Sequence, residues 1–393
     1  MLKNKLWITL SVIVLLLGIS TTSQAFEFNT KQNTMTFTYP VTTKDPGWKE
    51  LLTREQMVCA CSIPENVLSQ MPTGDLLITV LDYPLITDFF AYNSLETAVK
   101  QMLDFNGFSE LMNRPDSITE LLKCYSETAV ANDPAKETNY KDFLKPTVLE
   151  FLIHSYFFVN GYNDTTLENY RSVHESILTE RHQSGLYSGA LEIDVLFHDY
   201  SNDSKEVWTP VVDVIQNASI ECMPQNTLPI ENSVPDELRG AGDTWTPVTG
   251  VVQTPLGNAV PYVYSRSPEL TQAEKTALNN SADSTYPLAQ REYTASIKYN
   301  CHSFAWYNAT PYNPYWINQF PSVYIIDGSY STYSGTPYSG IRAAYVNDHS
   351  AIYTGSSYAG TYYVESKWGY YGVYLHLDSY GPYGSPGSRY KRN

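Results

Sequence analysis

One short block of the 393-residue sequence joins a nucleophile to the means of activating it: Tyr299-Asn300-Cys301-His302-Ser303-Phe304-Ala305-Trp306. Asn300 suits a helix N-cap, because its side-chain oxygen can accept from a backbone N–H that the first turn leaves unsatisfied. Phe304, Ala305 and Trp306 suit a buried helix behind it. Cys301 then falls in the first turn, where free N–H groups and the helix dipole favour the thiolate, the reactive form of cysteine. A second block, Asp348-His349-Ser350-Ala351-Ile352-Tyr353, sets a histidine at the mouth of a strand. A neutral imidazole there can take the thiol's proton and return it to a leaving amine. A carboxylate beside it would fix the tautomer and support the imidazolium that forms. Glu365 is the candidate for that third role, and His376, in Tyr374-Leu375-His376, is its rival. His302 is expected to turn away from the neighbouring thiol and act as a local wall residue. Each residue has an ordinary alternative: a buried structural cysteine, a surface turn histidine, a salt bridge between Glu365 and Lys367. The ordered set is harder to produce by accident.

Such residues require a helix set against an antiparallel sheet. The strand Thr361 to Lys367 follows a turn around Gly355 to Gly360, and pairing is expected to bring Glu365 or a neighbour close to His349. At period two, Tyr363, Glu365 and Lys367 share one face, while Val364 and Trp368 take the other. The chain has 33 tyrosines, crowded into the last hundred residues among Gly and Ser. That composition suits twisted strands with Gly-rich turns, where tyrosine covers apolar surface and keeps its hydroxyl wet.

Upstream, from Asp45 to about Val159, the pattern is one of short helices. Thr53 with Gln56, and Ser117 with Glu120, form capping-box patterns. Pro64, Pro72 and Pro84 break the run, Ser94 can cap the amphipathic stretch Leu95 to Phe105, and Lys145-Pro146 opens a helix through Phe158. His154 and His174 each sit on an expected helix without a metal-spaced partner and are expected to be packed or solvated. Leu191 to His198 alternates like a strand, and Cys222 to Thr249 has the composition of a linker or long loop. Strands are expected again from Val251 to Tyr264, then a solvent-lapped helix from Leu270 to Asn279. The resulting division is 1–25 as signal, 26–160 as a helical domain, 161–250 as a strand-containing connector and linker, and 251–393 as the domain bearing the cysteine.

The first 25 residues have the form of a cleavable secretory signal: Lys3 and Lys5, an apolar run from Leu6 to Ile19, and small residues at Ser23-Gln24-Ala25. The run is shorter than the ~20 residues needed to span a bilayer, so the expected product is secreted and not an integral membrane protein after cleavage. With those two lysines gone, the mature chain carries a net charge of −18. That argues against binding nucleic acid, which needs clustered Lys and Arg. All five cysteines, Cys59, Cys61, Cys124, Cys222 and Cys301, lie in the mature chain. An odd count in an exported protein leaves at least one thiol unpaired or joined to another chain. Cys59 and Cys61 fall on opposite sides of a short helix, and no Cys/His spacing resembles a closed zinc site.

The order of a cysteine opening a helix, a histidine opening a strand and a polar residue on the next strand resembles papain-like cysteine amidases and peptidases. The CHAP-like and NlpC-like members among exported bacterial proteins are the nearest in form. The resemblance covers about Val251 to Asn393 and implies an α+β fold, with an N-terminal all-helical domain before a papain-like domain with an antiparallel sheet. It implies Cys301 as nucleophile, His349 as base and Glu365 as orienting group, with no cofactor. The implied substrate is an extracellular peptide or cell-wall amide bond. This sequence departs from the pattern in having His302 directly after the cysteine and Asn347-Asp348 before the histidine. The Asn-Cys-His-Ser block with the later Lys-Trp-Gly is also similar to that of exported bacterial proteins without an assigned activity. A transglutaminase-like acyl transferase, or a non-catalytic binding protein on the same fold, would share the residue order.

Overall fold

The computed structural model describes residues 35–132, 139–193 and 244–393. The export signal, the 194–198 part of the alternating stretch and Cys222 lie outside the described residues. The fold is α+β, with a helical N-terminal region and a strand-rich C-terminal region.

Capping chemistry starts several of the helices. Before Arg54–Ala60, Gln56 N–H donates to Thr53 Oγ1 at 3.3 Å, and the Gln56 side chain accepts from Thr53 N–H at 3.2 Å. Ser94 accepts from Thr97 N–H at 3.2 Å and starts Leu95–Met102, whose Leu95, Ala98, Val99 and Met102 are buried. Ser117 does not cap. It is the first residue inside Ser117–Ser126, and its hydroxyl donates back to the carbonyl of Leu111. The long helix Tyr140–Asn160 starts six residues before Pro146, which sits inside it. A proline there removes one backbone N–H donor from the ladder, and neighbours bury the surrounding turn.

Helical structure then continues past 160, the expected end of the helical domain, and His174 lies on a helix as its surroundings predict. Asp164–Ser184 is a 21-residue helix, capped by Asn163 and ended by Gly185 at φ 68°. Its largely polar sequence hides a narrow buried stripe of Tyr170, His174, Ile177 and Arg181. The stripe sits on Tyr125 and Glu150: Arg181 pairs with Glu150 at 2.9 Å, and Tyr125 donates to the same carboxylate at 2.6 Å. His174 Nδ1 lies 2.9 Å from the Tyr125 hydroxyl, and His154 Nε2 lies 2.9 Å from that of Tyr170.

Among the described residues the strands form two antiparallel sheets. β1 (Thr244–Pro247), β2 (Val263–Ser267) and β4 (Trp316–Ile317) make the smaller one. The expected linker therefore ends in a strand, and the expected strands from Val251 reduce to one bridge, Gln253 to Ala259, ahead of β2. The larger sheet has the order β3-β9-β8-β7-β6-β10-β5. Its members are β3 (Gln290–Tyr293), β5 (Tyr330–Thr332), β6 (Arg342–Tyr345), β7 (His349–Tyr358), β8 (Thr361–Lys367), β9 (Val373–Leu377) and β10 (Pro386–Arg392). β7 runs farther than expected. Only Ala359 and Gly360, both at positive φ, turn the chain into β8, and Gly355 lies at a register shift within β7. The helix near Leu270 spans Gln272–Thr285 and buries Ala277, Leu278, Ser281 and Ala282, so it is a core element and not a solvent-lapped one.

One apolar core runs through both regions, from Trp48 and Phe89 to Tyr371 and Tyr383. Polar bonds cross it as well. Trp48 Nε1 donates to the carbonyl of Thr285, Thr87 and Ser281 share a hydroxyl bond at 2.7 Å, and Tyr286 donates to Asp88 at 2.7 Å. Among the described residues no helix is long and apolar enough to cross a membrane.

Candidate active site

Cys301 is the first residue of a helical turn, as its sequence neighbours predict. Asn300 caps it: its side-chain oxygen accepts from Ser303 N–H at 3.1 Å, and its carbonyl accepts from Phe304 N–H at 2.9 Å. The turn then widens into a π-helix over Ser303–Tyr307, closed by Asn308 N–H donating to the carbonyl of Ser303. Short π segments frequently mark functional positions. The cysteine is fully buried. Its sulfur accepts from Asn93 Nδ2 at 3.5 Å and donates to the carbonyl of Asp348 at 3.8 Å.

His302 is more than a wall. Its ring is also fully buried, with Nε2 at 2.9 Å from Asp348 Oδ1 and Nδ1 at 2.9 Å from Ser350 Oγ, which also accepts from Trp306 Nε1. Burial alone would lower its pKa. Charge on Cys301 and Asp348, with the hydrogen bond to Asp348, lifts it instead to about 10. The ring is thereby held next to the cysteine by Asp348 and Ser350.

His349 is the first residue of β7, as expected, and has no exposed surface. It stacks on Tyr383, with ring centroids 3.5 Å apart and planes 6° from parallel, and Tyr345 meets it edge-on. Neither ring nitrogen has a hydrogen-bond partner. Burial, then charge on His376 and His302, holds its pKa well below the ordinary value. It is therefore a neutral imidazole, the form a general base needs. The carbonyl facing the thiol belongs to Asp348, one peptide away, so the two blocks singled out in the sequence do meet. The thiol and the His349 ring make no hydrogen bond to each other.

Glu365 does not approach His349. In register it pairs with Ile352, while Tyr353 pairs with Val364. Alternation along β7 therefore sets His349 and Tyr353 on the face of Val364, and Ser350 and Ile352 on the face of Glu365. Burial and the charge of Glu292 raise the Glu365 carboxyl. His376 pairs with Val364 and shares the face of His349, but its ring is occupied. Its Nε2 meets Ser366 Oγ at 2.8 Å and Trp368 Nε1 at 3.3 Å, and its Nδ1 meets the carbonyl of Leu377 at 2.8 Å. Lys367 makes no ion pair with Glu365. It is buried and donates to the carbonyls of Ser296, Gly369 and Tyr371, and burial brings its pKa down to about 7.

That lysine pins the turn on which the helical region rests. Tyr370 N–H donates to the carbonyl of Phe90 at 2.8 Å, and Tyr371 Oη to that of Thr87 at 2.6 Å. Tyr92 Oη donates to the carbonyl of Pro382 at 2.7 Å. These bonds fix the segment Ile86–Ala91 and deliver Asn93 to the sulfur. Asn93 and the His302–Asp348 pair are the site residues that sequence reasoning missed. Tyr92-Asn93-Ser94 looks only like the lead-in to a capped helix, and Asp348 looks only like a turn residue before His349.

Among the described residues, no group of His, Cys, Asp or Glu could hold a metal ion, and Cys59, Cys61, Cys124 and Cys301 are unpaired. The chain matches no family model, no curated protein and no solved structure.

Proposed function

We propose that the protein is an exported cysteine hydrolase that cleaves amide or peptide bonds, cell-wall peptides among them, through an acyl-enzyme on a papain-like domain. One observation carries the reading: a capped, helix-opening cysteine whose sulfur lies one peptide from a buried, neutral and unbonded histidine. An unsatisfied buried ring is costly and asks for a reason, and a proton to accept is such a reason.

In this reading His349 takes the Cys301 proton, and the thiolate adds to the substrate carbonyl carbon. The C–N bond breaks as the imidazolium returns the proton to the amine. Water, deprotonated by the same ring, then releases the acid and restores the thiol. The stacked Tyr383, in place of a carboxylate, sets the orientation of the His349 ring. The β6–β7 turn caps the sulfur through the Asp348 carbonyl, and Asp348 holds a left-handed φ of 52° that non-glycine residues adopt at some cost. The reading requires substrate to displace that turn from the sulfur and His349 to leave its stack on Tyr383.

The test is alkylation by iodoacetamide at pH 6. Cys301 is expected to react faster than a thiol in an unstructured peptide, and His349→Ala to abolish the advantage. Equal rates for Cys301 and the peptide thiol would defeat the proposal. The complete burial of Cys301 favours a second reading, a non-catalytic exported binding protein in which the cysteine is structural. That reading expects Cys301→Ala to leave every property of the protein unchanged except local packing.

A further inference from the structure

The sulfur of Cys301 is met by a donor from the other half of the chain. Asn93 follows the segment Ile86–Ala91 and immediately precedes the Ser94 cap. It is 6% exposed. Its carboxamide is clamped from both ends. Oδ1 accepts from Asn300 Nδ2 at 3.3 Å, and Nδ2 donates to the Asp348 carbonyl at 3.1 Å, with Asp348 Oδ2 at 3.3 Å. The same Nδ2 lies 3.5 Å from the sulfur. An amide nitrogen carries two hydrogens. Those two hydrogens are shared among the Asp348 carbonyl, its carboxylate and the Cys301 sulfur, all within reach of the one nitrogen. Asn300, the residue that orients the carboxamide, also caps the nucleophile's helix, so donor and nucleophile are held by one side chain.

When a thiolate adds to a carbonyl, the S–C bond forms and the carbonyl π pair moves onto oxygen. The negative charge therefore leaves sulfur and appears on an atom beside it. A fixed amide nitrogen already within reach of the sulfur can follow that charge with little reorganisation, which is the requirement for transition-state stabilisation. We propose that Asn93 is a catalytic residue, the side-chain donor that stabilises the oxyanion formed at Cys301. The proposal rests on the cysteine-hydrolase reading. It makes the helical region part of the catalytic centre.

Two probes separate this role from a structural one. p-Nitrophenyl acetate acylates a thiol through a tetrahedral oxyanion, whereas iodoacetamide alkylates it by direct displacement and forms none. Both rates are measured on the full chain for the native protein, Asn93→Ala and Asn93→Asp, with thermal unfolding recorded for each. Asn93→Asp keeps the shape and the bond from Asn300 but has no N–H to give. The ratio of acylation to alkylation is expected to fall about 10²- to 10³-fold in both variants, the usual cost of losing one such donor. If the ratio stays within about threefold of native, Asn93 is a structural latch, whether the variants are less stable or not, and the inference is overturned. A rise in both rates would mark Asn93 as a plug over the thiol and overturn it equally. If native Cys301 alkylates but takes no acetyl group, the hydrolase reading fails, and this inference fails with it.

Discussion

Gly369→Ala should disengage the helical region from the site. Gly369 has φ +47°, and a Cβ built there would lie 2.4 Å from the carbonyl oxygen of Phe90 and 2.6 Å from the carbonyl carbon and oxygen of Ala91. All three are backbone atoms, so no flexible side chain can give way. An alanine in a left-handed conformation costs about 1–2 kcal/mol. Opening the contact also stretches the Tyr370–Phe90 backbone bond, and an intramolecular hydrogen bond contributes about 0.5–1.5 kcal/mol net. The buried apolar contacts of Phe90 loosen as well, for an expected total of about 3–4 kcal/mol, near the upper end for single substitutions. The assay is urea unfolding, read together with iodoacetamide labelling of Cys301 below the unfolding transition. The variant should unfold at lower urea and label Cys301 faster than native protein, because lower stability raises the population of opened molecules in which the buried sulfur can be reached. A loss below about 1 kcal/mol with unchanged labelling would refute the steric argument.

Two groups near the thiol should give pH dependences of opposite sign. His302 has a folded pKa raised to about 10, so its contribution to stability is complete below about pH 6.5 and is lost as pH climbs toward 10. His302→Gln should therefore cost more stability at pH 6.5 than at pH 10, and a difference independent of pH would refute this. Lys367 has a folded pKa lowered to about 7. Between pH 7 and about 10.4 the unfolded chain binds the extra proton, so this group's contribution grows with pH; Lys367→Met should remove that rise in urea unfolding. Arg181→Ala leaves the buried Glu150 carboxylate without its cationic partner and should cost about 3–5 kcal/mol in the same assay, with a cost under about 1 kcal/mol as the contrary result.

The local signals of the sequence were legible where a few adjacent residues decide the outcome. Thr53 with Gln56, Ser94, and Asn300 before Cys301 all cap as their types predict, and β8 begins and ends where its alternation does. Prediction failed where distant packing decides. His174 was read on a helix and is on one, but the length of Asp164–Ser184 was not legible, because its one buried stripe matters only against Glu150 and Tyr125. Glu365 was the natural acid by spacing, but the register of β7 against β8 sets it on the wrong face. Asn93 carried no local mark at all: its role arises from a contact 208 residues away along the chain.

Separation of that length bears on how the protein comes into being. The sulfur's surroundings combine Asn93, Asn300 and Asp348, and the ring that stacks on His349 belongs to Tyr383, close to the C-terminal end of the sequence. Closing such loops is a late and entropically costly step. A chain still on the ribosome therefore carries Cys301 without Asn93, Asp348 or Tyr383 assembled around it. Assembly of the site is coupled to completion of the whole fold, so under the proposed reading a partly made chain has no hydrolytic centre.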